Sequence, residues 1–374
     1  IYYAESDDGH EWRFPDLGII RIDGSTKNNA ILTDQPPLLT NFMPFLDQRE
    51  GIDPSERFKA LSGHPGPGDK RGTSQTGRGL FVMVSSDGLH WVKKQEAIPY
   101  RPEWRHAFDS PNVSFWSETE QLYVCYFRTW TEPDRLRSIS RATSPDFRTW
   151  STPVAMNPNR PGEHLYTNMT GPYFRAPHLY IAMPTRFVPG RGGRPADDEK
   201  DANATDILLM STRAGTETYD RTFLEAFIRP GLGAQAWKNR ANYVANHVIP
   251  TGPAEMSIYH RSGDRYVLRT DGFASASAGV EKGELLTKPL TFTGSELSFN
   301  LSTSAAGELR VELQTDVGRP IQGYGLADCI PIYGDKIDLV AKWQGNASLE
   351  SLSGERIRMR LVMRECDVFS FQFR

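Results

Sequence analysis

One short motif constrains this chain more than any other feature: a serine, an aspartate two residues on, and a tryptophan soon after. It occurs in ESDDGHEWRF at 5–14, SSDGLHWVKK at 85–94 and SPDFRTWSTP at 144–153. Each copy closes one strand-like run and opens another, so each reads as a hairpin turn. Aspartate caps backbone amides there and glycine supplies positive φ, while the tryptophan folds back to seal the hairpin against its neighbour. A degenerate fourth copy, STRAGTETYDRTF at 211–223, keeps the turn and replaces the tryptophan. Such units, recurring at roughly 40–60 residues with about four strands each, are the pattern of a propeller. Unrelated hairpins sharing turn chemistry are the plainer alternative.

The rest of the chain agrees with a β architecture. RGLFVMVSS, NVSFWSE, QLYVCYFRT, HLYIAMPTRF, DILLMSTR, EMSIYHR and RYVLRTDGF are β-branched or aromatic runs bounded by Gly, Pro, Asp or Ser, which is the signature of short strands. No long amphipathic helix is evident, and the stretch around QAWKNRANY makes a helical turn at most. The expectation is an all-β chain: a five-bladed β-propeller over 1–290 followed by a β-sandwich over 291–374. Blades fall at about 41–98, 105–155, 163–230 and 247–290, with a first blade ending near 32 and partial at the N-terminus. A Gly/Pro insertion occupies 63–79, and PGRGGRPADDEKDANAT at 189–205 reads as a flexible polar loop. From 291 the alternation in LTFTGSELSFNLSTSAAGELRVELQTD, KIDLVAKWQG and IRMRLVMRECDVFSFQFR reads as the sandwich.

Composition narrows the partners. The 374 residues carry 43 basic and 46 acidic side chains, net −3, with no basic stripe, so nucleic acid is not expected. No apolar run approaches the roughly 18–20 residues of a membrane span. The chain opens directly on IYYAESDDGHEW without a signal peptide, as a processed or incomplete chain would. Of three cysteines, Cys125 reads as a small core residue; Cys329 and Cys366 leave pairing and free thiols equally open.

Several stretches resemble a known group. ERFKAL (56–61), YTNMTGPYFRAPHLYIAMPTRF (166–187), EAFIRPG (225–231), AEMSIY (254–259), TDGFASASAG (270–279) and NLSTSAAGELRVELQ (300–314) are similar to bacterial glycosyl hydrolase-like propeller proteins. In layout the chain resembles the five-bladed glycoside hydrolases of the invertase and arabinanase type, which carry a C-terminal β-sandwich. The resemblance implies a carbohydrate partner, polysaccharide degradation, a secreted or periplasmic setting and no cofactor, with room for a structural calcium in the channel.

Glycoside cleavage needs one carboxylic acid to protonate the leaving oxygen and a second carboxylate as base or nucleophile. In a propeller these stand at the start of inner strands. Asp47 in NFMPFLDQRE, Asp109 in HAFDSPNVSFW and Glu255 in GPAEMSIYH occupy such places. Glutamate is a poor turn former, so Glu255 is the expected general acid. The resemblance of FDSPN to an invertase-type motif implies that Asp109 orients sugar hydroxyls. Asp47, in loop-like sequence, is the weakest candidate and stands as base, unless the base precedes residue 1. Each could instead serve as a turn cap or solvated edge residue.

Sugar-binding candidates surround these acids. Arg128, Arg175, Arg186 and Arg240 recur beside aromatics, and a planar guanidinium suits a carboxylate or sulfate on a sugar; inter-blade salt bridges are the alternative. Tyr166 and Trp237, with Trp130, offer faces for pyranose stacking. His164 and Asn168 stand where the fourth blade lacks an acid, and the amides of Asn28 and Asn29 could reach hydroxyls if they do not simply order a loop. His106, His164 and His178 lack metal-ligand spacing, so no metal site is expected. Two competing functions stay open: a non-catalytic glycan-binding propeller, and a sialidase-like hydrolase. Sialidase boxes read Ser-x-Asp-x-Gly-x-x-Trp; SSDGLHW is one residue short and ESDDGHEW fits loosely.

Overall fold

The computed structural model describes residues 1–33, 41–63, 79–101, 107–191, 203–345 and 348–374. The insertion at 63–79, the polar loop at 189–205 and His106 therefore lie wholly or mainly outside the described residues. The chain divides into two compact units: Ile1–Ile249 with Ser257–Tyr266, and Pro250–Met256 with Val267–Arg374.

Two four-stranded antiparallel meanders open the first unit. One runs β1 (Met43–Leu46), β2 (Phe58–Ser62), β3 (Gly79–Ser85), β4 (Val92–Pro99), and the next runs β5 (Val113–Ser117), β6 (Leu122–Trp130), β7 (Arg137–Ser144), β8 (Val154–Ala155). Strands β3 and β6 are apolar on both faces and almost wholly buried, as central strands of a sheet covered on both sides must be. One face of each, Leu80, Val82 and Val84 with Tyr123, Cys125 and Phe127, shares a core with Phe108 and Phe147, while Phe81 and Met83 on the other face of β3 pack in a separate cluster.

The three Ser-x-Asp units are a single device. Ser6, Ser85 and Ser144 each donate to an aspartate two residues on, Asp8, Asp87 and Asp146, at 3.0–3.2 Å. One carboxylate oxygen then accepts two successive backbone N–H groups, those of Leu89 and His90 in the second copy and of Arg148 and Thr149 in the third, at 2.7–2.8 Å. Between aspartate and tryptophan the chain turns through positive φ at Gly9 (75°), Gly88 (79°) and Phe147 (62°). All three copies share one spacing, so ESDDGHEW matches the others rather than the longer sialidase box. Phe147 tolerates the left-handed conformation because its ring is sealed against Phe45, Tyr123 and Trp150. The fourth copy is a different turn: Gly215 takes φ 77° and the Thr212 hydroxyl donates to the Thr218 carbonyl at 2.9 Å.

The third region departs from the expected strand count. HLYIAMPTRF and DILLMSTR are each split in two. In order come β9 (His164–Leu165), β10 (Thr170–Tyr173), β11 (Ala176–Ala182), β12 (Thr185–Pro189), β13 (Asn203–Ile207) and β14 (Met210–Arg213). Strands β10, β11 and β14 make one sheet and β9, β12 and β13 another. The breaks at 183–184 and 208–209 face each other, and the Leu208 amide donates to the Pro184 carbonyl at 3.0 Å. Proline has no amide to keep the ladder, so the long hairpin changes sheets there.

Residues 1–33 hold only isolated bridges, Tyr2 to Ala30 and Glu5 to Arg13 among them. They dock through Trp12, whose ring meets Tyr259 edge-on at 5.5 Å, and through the Gly9 carbonyl, which accepts the Tyr259 hydroxyl. Tyr259 ends β16 (Glu255–Tyr259), which lies between β15 (Ile249–Gly252) and β17 (Arg265–Arg269).

The second unit takes in residues before 291. Strands β18 (Ala276–Ala278) and β19 (Gly283–Leu286) pair with β22 (Ile357–Phe373) instead of closing a blade. Its sheet is completed by β20 (Leu297–Thr315) and β21 (Asp335–Val340), in the order β18-β22-β20-β21. The long β20–β22 ladder breaks between Thr303 and Glu308. On either side of the break, Leu297, Phe299, Leu301 and Leu309, Val311, Leu313 point into one core with Trp343 and Met359. Cys125, Cys329 and Cys366 are all buried free thiols, which closes the disulfide alternative.

One close approach demands glycine. A Cβ on Gly171 would lie 2.1 Å from the His247 ring. Burial holds the His247 imidazole down at about 4. An unfolded chain with an ordinary histidine binds that proton more readily, so stability falls as pH drops from about 6.5 toward 4. His247→Leu should flatten this stretch of a stability-versus-pH curve measured by urea unfolding; an unchanged slope contradicts the assignment. Asp87→Ala should cost about 1 kcal/mol through the lost amide caps, read as a lower unfolding midpoint.

Candidate functional site

The expected acids reach very different environments. Asp47 follows β1, and its side chain has 0% exposure. The carboxylate takes Lys59 Nζ at 3.0 Å and the Tyr123 hydroxyl at 2.5 Å, and the Arg49 guanidinium lies over the Tyr123 and Trp116 rings at 5.0 and 4.8 Å. Desolvation lowers the Lys59 pKa although Asp47 pulls it upward. The ion pair lies within the first meander, and the Tyr123 hydroxyl from the second closes it. The Asp47 carboxylate, expected as the base, has no exposed surface here.

Asp109 is the opposite case. It precedes β5, directly after Phe108, whose φ of 65° turns the chain and whose amide donates to the Arg128 carbonyl. Its side chain is 47% exposed, whereas its partner Arg128, 2.8 Å away on β6, is only 3% exposed. A buried guanidinium thus holds a solvent-facing carboxylate in place. Such a carboxylate is placed to accept hydrogen bonds from sugar hydroxyls.

Around this pair the chain builds an aromatic and guanidinium cluster. Arg128 lies 5.2 Å from the Tyr166 ring centre. Arg137, opening β7, lies 4.6 Å from Trp130, 5.0 Å from Tyr166 and 4.4 Å from Phe187. The His164 ring meets Trp130 and Phe187 edge-on, and its Nδ1 accepts the Arg137 amide at 3.1 Å. That bond places the imidazole proton on Nε2. Burial and the Arg137 charge both lower the His164 pKa, so the ring is a neutral acceptor. Tyr166 also packs on Tyr243, whose pKa burial raises. Register explains the meeting: His164 pairs with Phe187 across β9 and β12, so both share one face.

The opposite face of the same strands carries a second charge group. Arg186 forks onto Asp206 at 2.9 and 2.6 Å. Glu163 receives Arg160 at 3.5 Å, Arg186 at 3.3 Å and Arg221 at 2.9 Å. A three-arginine carboxylate clamp is therefore present, but the protein's own glutamate fills it.

The remaining candidates are placed as follows. Asn28 and Asn29 donate to the Ile20 and Tyr3 carbonyls and order the N-terminal loop. Asn168 is buried, donating to the Pro111 and Tyr126 carbonyls and accepting the Thr170 amide. Its amide is committed to the fold, and so are those of Asn28 and Asn29. Arg175 lies in the turn between β10 and β11. Trp237 ends a 3-10 turn, 45% exposed, with its indole N–H on the Gly231 carbonyl. Arg240 gives its carbonyl to Arg261. In the second unit Glu255, partly buried at the start of β16, accepts the Thr251 hydroxyl at 2.7 Å. Sequence reading missed Arg137, Phe187 and Tyr243. The rings around Arg137 come from other strands, so its own stretch of sequence gives no sign of them. Among the described residues no group of three His, Cys, Asp or Glu could hold a metal.

No family model and no curated protein sequence matches the chain. Among solved structures it is similar to a Bombyx mori GH32 beta-fructofuranosidase, at TM-score 0.40 and 9% identity over 92% of this chain and 82% of that one. It is also similar to an N-acetylgalactosamine deacetylase from F. plautii (TM-score 0.33, 8% identity, 93% of each chain). A third is a family 117 glycoside hydrolase from Zobellia galactanivorans (TM-score 0.36, 10% identity, 67% and 78%).

Removing one partner of a buried pair strands the other charge, at about 3 kcal/mol or more. Asp47→Asn should therefore lower the unfolding midpoint markedly while the refolded protein keeps its glycan affinity in calorimetry. A stable variant with abolished turnover would return Asp47 to the chemistry.

Proposed function

We propose that this chain is a glycoside hydrolase-like protein that engages carbohydrate at the Asp109 cluster. One observation carries the reading: a half-exposed carboxylate is fixed by a buried arginine beside Trp130 and Tyr166. Aromatic faces stack on the apolar faces of sugar rings, and a fixed carboxylate accepts their hydroxyls or serves as base or nucleophile. In the second unit, taken by itself, Glu255 is partly buried and hydrogen-bonded to the Thr251 hydroxyl, and it stays a separate candidate acid. The same reading takes the first unit's antiparallel sheets as blades of a five-bladed propeller. It takes the second unit as a sandwich folded from one sheet bent at the Thr303–Glu308 break.

A binding-only function is the second reading, favoured by the sealing of Asp47, which removes one of the three expected carboxylates. The sialidase-like reading loses support, since the arginine clamp is already occupied by Glu163. Asp109→Asn preserves shape and removes the charge. It should cut release of reducing sugar from a plant or algal oligosaccharide panel by at least a hundredfold, with the unfolding midpoint little changed. Glu255→Gln, made separately, tests the second unit's carboxyl by the same assay. Full activity in either variant removes that residue from the mechanism, and binding without release by the unaltered protein establishes the binding-only function.

A further inference from the structure

We propose that the ligand of the Asp109 cluster is an acidic saccharide, and that Arg137 binds its anionic group. The inference rests on the carbohydrate reading above and narrows it to a substrate class. Its basis is how the arginines are committed. Arg128 is neutralised by Asp109 at 2.8 Å, and Arg186 by Asp206 and Glu163. Arg137 is the exception in this cluster: among the described residues no carboxylate lies within salt-bridge distance of it. Its polar contacts are with His164, through a backbone amide and a guanidinium nitrogen 3.4 Å from Nδ1, and its buried Nε has no hydrogen-bond partner.

A guanidinium placed so is poorly satisfied. It is half-buried among Trp130, Tyr166 and Phe187, and it shares the site with the like charge of Arg128. Aromatic faces attract a cation but offer no hydrogen-bond acceptor. His164 supplies one lone pair against the five N–H donors of the fork. With Asp109 paired to Arg128, Arg137 has no carboxylate of its own among the described residues, beside rings suited to sugar. A carboxylate or a sulfate ester on the sugar matches this gap in charge and in planar or tripodal geometry. Both are anionic substituents of polysaccharides, and the cluster asks only for that shared chemistry.

The test uses the whole chain and compares oligosaccharides by isothermal titration calorimetry. The acidic probes are oligogalacturonate and a sulfated galactan oligosaccharide; their carboxyl-reduced and desulfated counterparts are the neutral controls. The expected result is that at least one acidic probe binds about tenfold or more tighter than its own neutral control, less so as salt rises. Which acidic probe retains the preference identifies carboxylate or sulfate. Arg137→Met, which keeps a long apolar stem, should erase that preference in a chain that still unfolds cooperatively. Arg137→Lys should keep part of it. Equal affinity for acidic and neutral probes, or a preference that survives Arg137→Met, overturns the proposal. Acid-selective binding without cleavage sinks only the hydrolytic reading, and cleavage of neutral glycans alone sinks only this one.

Discussion

A guanidinium can be sealed from water only if something answers its charge, and the candidate site follows from how this chain solves that problem for Arg128. The side chain is 3% exposed, yet its carboxylate partner Asp109 is about half open to solvent. Arg128 lies on a central strand, Asp109 in the turn before β5, and Tyr166, over which the guanidinium stacks, follows β9 in the next sheet. One ion pair thus ties a turn, a core strand and a neighbouring sheet, and it aims a carboxylate outward. A buried pair with one solvated end avoids most of the desolvation cost that full burial would impose.

Asp47 shows the other solution. There both charges are sealed, with Lys59 and the Tyr123 hydroxyl saturating the carboxylate. The same residue type, placed beside the first strand of a meander in both cases, is sealed in one and half open to solvent in the other. The difference is the exposure of the acceptor. That contrast separates candidates which their local sequences present as equals.

Much of the fold was legible in the chain itself. The Ser-x-Asp turns, the apolar β3 and β6 and the alternating β20 and β22 are local patterns, and each is set by local chemistry: amide capping, burial on both faces, burial on one face. Two features were not legible. The split of HLYIAMPTRF at Pro184 depends on a carbonyl met from the facing strand at Leu208. The assignment of β18 and β19 depends on pairing with β22, far along the chain. At the site, Asp109, Arg128, His164 and Tyr166 were named from sequence and do converge. Asn28, Asn29 and Asn168 were named equally and are spent on backbone carbonyls. Arg137 was invisible because none of its ring partners is a chain neighbour.

The most direct measurement is a crystal structure of the chain soaked with an acidic oligosaccharide. The account predicts a sugar ring on Tyr166 or Trp130, hydroxyls within about 3 Å of the Asp109 carboxylate, and the anionic group on the Arg137 fork. A saccharide seated elsewhere, with the Asp109 carboxylate still facing open water, would contradict it.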